Sequence, residues 1–297
     1  MINSSDFDFV SLLEKALSGV PEDKLESIGT VVKVGDGVAQ IHGLDGALYY
    51  ELVTFDGGNK GIVLNLDENF ASVVFFDKSV PVLEREIVRR TGKIFKIPVS
   101  DEMIGRVVNA TGEPLDGLGE IQNQTMMPVE RSAPGILERS KINESLETGI
   151  VAIDGLIPIG KGQRELLIGN RSTGKTAIAI DTIIHQKNKD VICIFVSIGN
   201  KQSTTARIID TLERKGALEY TIILEADAND SALSQFFAPY SGAAIAEYFM
   251  HKGKDVLIVY DDLSSHAVAY RELSLLLRRA PGREAYPGDI FYIHSRL

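Results

Sequence analysis

The sequence predicts an α/β protein: a small N-terminal β barrel, then a domain built on a mostly parallel sheet around a phosphate-binding loop. Three observations predict it. Short apolar strands with Gly-rich turns fill residues 24–92. From about Lys93 onward, apolar strands alternate with helical segments, the pattern of a parallel sheet covered by helices. Within that second region, Gly169-Asn170-Arg171-Ser172-Thr173-Gly174-Lys175-Thr176 fits the pattern G-x-x-x-x-G-K-[ST]. The expected division is therefore 1–23, a terminal helix; 24–92, the barrel; and 93–297, the phosphate-loop domain.

The chain has 297 residues, enough for two domains with a sizeable core. It is 44% hydrophobic and 24% charged, an ordinary globular balance. Lys plus Arg number 31 and Asp plus Glu number 41, giving a net charge of −10, which argues against nucleic acid as the main partner. The single cysteine, Cys193, sits inside the apolar run Val191–Val196 and reads as a small core residue rather than a reactive thiol. One cysteine forms no disulfide within the chain, which suits a reducing compartment. No apolar run reaches bilayer-spanning length, and the acidic N-terminus lacks a signal pattern. Membrane association is expected only through partners.

In the first segment, Phe9, Leu12, Leu13, Ala16 and Leu17 fall on one helical stripe. Ser4, Ser5 and Asp6 offer N-caps, and Gly19 and Pro21 supply the stop. Such a helix either folds back on its own domain or docks on another subunit. In the barrel region, Asp36-Gly37 between apolar runs is a hairpin signal. Further strands are expected over Leu48–Phe55, Gly61–Leu66, Ala71–Phe76 and Val82–Val88. Between Lys24 and Arg90 there are ten acidic and seven basic residues, so the basic groove of a single-strand binder is missing.

The apolar run Glu165-Leu166-Leu167-Ile168 reads as a buried strand leading into the phosphate loop, and Ala177, Ile180 and Ile184 follow at helical spacing. The residue types follow from the chemistry. Glycines let the backbone wrap an anion and take positive φ. Successive N–H groups and the positive end of the helix favour phosphate. Lys175 reaches terminal phosphates, and the Thr176 hydroxyl suits Mg²⁺. Later strands are expected at Val191–Ile198, Tyr220–Leu224 and Val256–Tyr260. Ligands of such sheets bind beyond the carboxyl ends of the strands. That singles out Gly199-Asn200-Lys201 and Asp261-Asp262. An apolar strand ending in Asp is the second metal element of phosphate-loop proteins, so Asp261 is the expected Mg²⁺-side carboxylate, and Asp262 the alternative or a helix cap. The site is therefore Gly169, Asn170, Arg171, Ser172, Thr173, Gly174, Lys175, Thr176 and Asn200 for a nucleotide, ATP or ADP, with Thr176 and Asp261 for Mg²⁺.

Several stretches resemble the alpha subunits of F-type ATP synthases. They are Gly29–Ala39, Gly105–Ala110, Pro158–Leu166, Tyr260–Ser264 with Ala267–Arg271, and Leu276–Asp289. The resemblance covers about Glu26 to Leu297. It implies a RecA-like nucleotide domain and a non-catalytic site holding Mg-ATP. It also implies an alternating hexamer with catalytic beta subunits, a central stalk facing Pro281–Asp289, and a peripheral-stalk subunit meeting the N-terminal helix. The implied location is peripheral, on the cytoplasmic face of an energy-transducing membrane. The pattern is not kept throughout. Asn170 stands where the family usually has Asp, Ser172 where it has Gln, Asn200 where it has Gln, and Gln202 where an Arg is common. The family also continues past the position of Leu297 into a helical domain, and donates an arginine to its neighbour from that later part. Two other classes compete: a self-sufficient ATPase of the export or RNA-translocating type, and a nucleotide-binding fragment that does not assemble. A self-sufficient ATPase needs a carboxylate to orient water where this chain has Asn200.

Overall fold

In the computed structural model, which describes residues 28–77 and 79–297, the central element is a ten-residue strand, Val191–Asn200. Its first eight residues are buried, because both faces of this strand are covered. The strands in chain order are β1 (Ile28–Gly35), β2 (Val38–His42), β3 (Glu51–Phe55), β4 (Lys60–Leu66), β5 (Ala71–Phe75), β6 (Ile87–Ile94), β7 (Lys96–Val99), β8 (Val107–Asn109), β9 (Thr125–Pro128), β10 (Ser145–Leu146), β11 (Ile159–Gly160), β12 (Val191–Asn200), β13 (Thr221–Asp227) and β14 (Asp255–Asp261). The helices are α1 (Val151–Leu156), α2 (Lys175–His185), α3 (Gln202–Arg214), α4 (Ala232–His251), α5 (Leu263–Leu276) and α6 (Ile290–Ser295).

Strands β1 to β6 close into a barrel in the order β1-β2-β5-β4-β3-β6. Closure leaves no open strand edge in this part of the chain. The β1–β2 hairpin turns at Asp36-Gly37, both at positive φ (51° and 83°), as a primed turn requires. Two barrel strands start later than the apolar pattern suggests. Tyr50 takes φ 64° and the Glu51 carboxylate accepts from Leu48 N–H, so Leu48–Tyr50 turns before β3 begins. Val82–Val88, expected as a strand, is mostly a turn: Glu86 accepts from Gly57 and Leu83 N–H, and Arg85 takes φ 69°. The last barrel strand instead runs over Ile87–Ile94.

The second sheet is parallel throughout, in the order β14-β12-β13-β8. Alternation along β12 sorts its two faces. Cys193 and Phe195 pack with Ile180 and Ile183 of α2 and with Ile208 and Leu212 of α3. Ile192, Ile194 and Val196 pack with Phe236, Phe237 and Ile245 of α4. Helix α4 is buried on nearly all sides, as befits a crossover wedged between sheet and barrel. Its Phe237 meets Tyr50 of the barrel with ring centroids 5.6 Å apart, Phe95 at 5.1 Å and Phe76 at 6.1 Å. Barrel and sheet therefore share one apolar core.

Three expectations need correction or qualification. Glu165–Ile168 is not a strand, and Leu166 and Ile168 are 73% and 87% exposed. A strand needs a neighbour for its backbone groups, and among the described residues β14 is paired on the β12 side only. The helix expected after the loop is present as α2, with Ile180 buried and Ile184 packed partly against the same core, but Ala177 is exposed and Ala179 and Ile183 complete the buried face. The amphipathic helix expected over 1–23 lies outside the described residues.

Candidate functional site

The phosphate loop runs from Gly169 to Gly174, and α2 starts at Lys175. Gly174 takes φ 95°, a left-handed conformation that a side chain would strain. A Cβ at Gly169 would stand 2.8 Å from Thr173 Oγ1. Asn170, Arg171, Ser172 and Thr173 sit exposed on the loop. Thr173 donates to the carbonyl of Asn170 (2.8 Å). Lys175 Nζ donates to the carbonyls of Gly169 (2.9 Å) and Asn170 (2.7 Å), so the ammonium is drawn over the loop.

The next residue ties the loop to the sheet. Thr176 Oγ1 donates to Asp261 Oδ2 (2.9 Å), across 85 positions of sequence. Asp261 is the last residue of β14, so the carboxylate stands at the carboxyl end of a parallel strand. Burial holds its pKa above the ordinary carboxylate value, and the charge of Asp262 adds to that. The Thr176 hydrogen bond and Lys175 oppose the rise. A carboxylate made costly by burial gains from a nearby cation. Asp262 plays a different part. It is the N-cap of α5, accepting from Ser265 N–H at 2.7 Å.

Asn200 ends β12 and stands between these groups. Its Nδ2 donates to the backbone carbonyl of Asp261 (2.8 Å) and to Ser197 Oγ (3.1 Å). Both N–H bonds are used within the protein, which leaves Oδ1 as its acceptor. The structure therefore brings together Lys175, Thr176, Asn200 and Asp261. It leaves Arg171 and Ser172 at the exposed rim of the loop.

The donor set suits Mg²⁺. Among the described residues, no group of three or more His, Cys, Asp or Glu is arranged to hold a metal ion. One carboxylate and one hydroxyl are what Mg²⁺ takes when its remaining ligands are water and phosphate. Zinc and other softer metals would need more protein ligands.

Sequence reasoning passed over three polar residues beside this site. Ser197 and Glu225 lie in apolar strands, and Thr205 lies near the start of α3. Ser197 shares a face with Cys193 on β12, and Glu225 shares the paired face of β13 with Ile223 and Thr221.

Comparison with known proteins agrees with the two-part fold. The profile described as "ATP synthase alpha/beta family, beta-barrel domain" matches residues 24–92. The profile described as "ATP synthase alpha/beta family, nucleotide-binding domain" matches residues 149–297. The "ATP synthase subunit alpha" of Clostridium acetobutylicum is 54% identical over 298 residues, covering 100% of this chain and 59% of that protein. That of Caldanaerobacter subterraneus subsp. tengcongensis is 57% identical over 272 residues, covering 92% of this chain and 54% of that protein. That of Lactobacillus helveticus is 56% identical over 278 residues, with 93% and 55% covered. The chain thus spans between 54% and 59% of the length of these curated relatives. With a barrel profile over its first strands and a nucleotide-domain profile over its loop and parallel sheet, the chain belongs to the ATP synthase alpha/beta family.

Proposed function

We propose that this chain is the barrel and nucleotide-binding part of a non-catalytic alpha-type subunit in the head of a proton-translocating ATP synthase, which holds ATP or ADP with Mg²⁺ and leaves turnover to its partner's site. The observation that carries this reading is the meeting of Thr176, Asp261 and Asn200. Phosphate loop and metal carboxylate are joined, but the side chain beside them is an amide. Hydrolysis needs an in-line water and a group to orient it or take its proton. Asn200 has no acidic oxygen and commits both N–H bonds to Ser197 and Asp261.

The roles of the residues follow. The backbone of Gly169–Gly174 cradles phosphate oxygens. Lys175 exchanges the carbonyls of Gly169 and Asn170 for the terminal phosphates. Thr176 and Asp261 hold Mg²⁺ directly or through its waters, and Mg²⁺ neutralises phosphate charge. Asn170, Arg171, Ser172 and Thr173 shape the rim of the loop. The partners proposed are catalytic beta subunits in an alternating hexamer, a central-stalk subunit against Pro281–Asp289, and a peripheral-stalk subunit at residues 1–23. Nucleic acid is not among them, in keeping with the net charge of −10. Among the described residues no helix is long and apolar enough to cross a membrane. Attachment to the cytoplasmic face of the energy-transducing membrane would run through partners.

Two measurements test this. Lys175→Ala is expected to weaken binding of a fluorescent ATP analogue by about 2 kcal/mol, near thirtyfold, through loss of a charge-assisted contact. Unchanged affinity would remove the loop assignment. In single-turnover hydrolysis with Mg²⁺ and excess protein, no turnover on the scale of a working ATPase is expected. A rate on the order of 1 per second, abolished by Lys175→Ala, would favour a self-sufficient ATPase.

A further inference from the structure

Helix α6 is held to the rest of the chain by few contacts. It has six residues, too few to persist alone. Ile293 is its one buried residue, while Phe291 and Tyr292 are 81% and 59% exposed. Two hydroxyls tie it down. Tyr240 of α4 donates to the Ile293 carbonyl (2.7 Å), and Tyr270 of α5 donates to Asp289, just before the helix (2.7 Å). A pair of imidazoles adds to them. His294 stacks on His266 of α5 with ring centroids 5.3 Å apart, and His266 lies in turn against Phe236 at 5.5 Å and Tyr240 at 5.6 Å.

The setting suits two neutral rings and offers nothing to a further proton. His266 is 0% exposed. Its Nε2 lies 3.0 Å from the Phe236 carbonyl, which only accepts, so Nε2 carries the proton. Its Nδ1 is buried without a hydrogen-bond partner, and so is Nε2 of His294. An imidazolium donates from both nitrogens, and the docked helix gives these two atoms no acceptor. The groups around the pair do not offset a charge either. Tyr240 on α4, Tyr270 on α5, Tyr260 on β14 and Tyr50 of the barrel are phenols whose pKa values burial raises. Asp289 is engaged by Tyr270, and Asp262, one turn before His266, by Ser265 N–H. Glu130 pairs with Arg296, whose cation sits 5.1 Å from the Tyr240 ring centroid. Burial holds the pKa of His266 down at about 3, with His294 adding to the drop, and burial holds His294 below its ordinary 6.5.

We propose that the His266–His294 pair is an acid-released strap: protonation of the two rings undocks α6, with the Asp289 anchor before it, while the parallel sheet stays closed. The direction follows from linkage. Docked, both rings are neutral. Undocked, both return to ordinary values near 6.5 and take up a proton below that. The docked state therefore loses ground as pH falls through 6.5, and the loss stops once pH passes below the docked values. Each proton taken up multiplies the opening constant by about ten per pH unit, and two multiply it by about a hundred. The strap is separate from the nucleotide site proposed above, and stands or falls without it.

Hydrogen exchange of the full chain, read by mass spectrometry and corrected for the intrinsic rate at each pH, tests it. The peptide covering 289–297 is expected to be protected at least about tenfold less than the one covering 191–198, because α6 opens alone. Its protection is expected to fall by up to about a hundredfold from pH 6 to pH 5, the mark of two protons. His266→Gln keeps a donor for the Phe236 carbonyl, and His294→Phe keeps a stacked ring. Each is expected to cut that fall to about tenfold, and one serves if the other does not fold. A wild-type fall of about tenfold or less would overturn the proposal. So would a fall that a folded variant leaves unchanged. Equal protection of the two peptides would overturn it too, since α6 then opens only with the whole domain.

Discussion

Arg90→Ala is expected to destabilise the chain by about 3–5 kcal/mol, because it strands a charge inside the barrel. Glu51 is 0% exposed. Arg90 Nη2 lies 3.0 Å from its Oε2 and Nε lies 3.1 Å from Oε1, while Nη1 reaches the Asp45 carbonyl at 2.8 Å. Leu48 and Gly92 N–H complete the set at 2.8 Å each. Burial alone would raise the pKa of Glu51, but these hydrogen bonds and the guanidinium bring it below the ordinary value of 4.5. The sign for stability follows. A depressed folded value means that the contribution is fully present above 4.5 and fades as pH falls through the lower folded value. Urea midpoints should therefore drop on acidification in the wild type. In Arg90→Ala burial dominates, and this acid-side loss should shrink or reverse. An Arg90→Ala stability within about 1 kcal/mol of wild type at pH 7 would refute the account. The pair Glu51→Leu with Arg90→Met should recover part of the loss, since replacing both charges leaves none unpaired.

Phe237→Ala is the second large effect, expected at about 3–5 kcal/mol from lost burial and the cavity left behind. Phe237 is 2% exposed and lies edge-on to Tyr50, Phe95 and Phe236. Those neighbours belong to the barrel, the connection after it and α4. The ring therefore closes the seam between two halves that are continuous in packing but whose sheets share no strand pairing. Thermal unfolding followed by circular dichroism should show a midpoint lowered on the order of 10 °C. The transition should also broaden or split as the barrel and the sheet uncouple. A sharp single transition at the wild-type temperature would show that the seam contributes little.

The strongly periodic parts of the sequence told the truth about the fold. The Asp36-Gly37 hairpin, the central run Val191–Ile198 and the strand ending at Asp261 all stand where the pattern puts them. Local chemistry misled where a polar group reorganises the backbone. Glu86, capping two N–H groups, makes a turn of a stretch that reads as a strand. Glu165–Ile168 misled for the opposite reason: its composition fits a buried strand, yet a strand exists only with a neighbour. At the site, Lys175, Thr176 and Asp261 were legible from motif and strand end. The capping role of Asp262 was legible only as one of two options, settled by a hydrogen bond from Ser265 N–H. Ser197, Thr205 and Glu225 were not found, because single polar residues in apolar runs carry no spacing rule. Strand register, invisible in one dimension, pairs Ser197 with Glu225, and a hydroxyl contact of 3.0 Å joins Ser197 to Thr205 on α3.

The burial of Cys193 gives the molecule its own chemical gauge. It is the only sulfhydryl in the chain, it is 0% exposed, and desolvation pushes its pKa up to about 12. Only the thiolate reacts with alkylating or disulfide reagents, and that form is scarce at neutral pH while the strand stays in place. Once the sheet opens, the group returns to an ordinary thiol with an ordinary ionisation. Modification at this position therefore waits on opening of the central strand of the sheet, and a labelling rate measured across conditions reads the free energy of that opening without a fluorophore or an added tag.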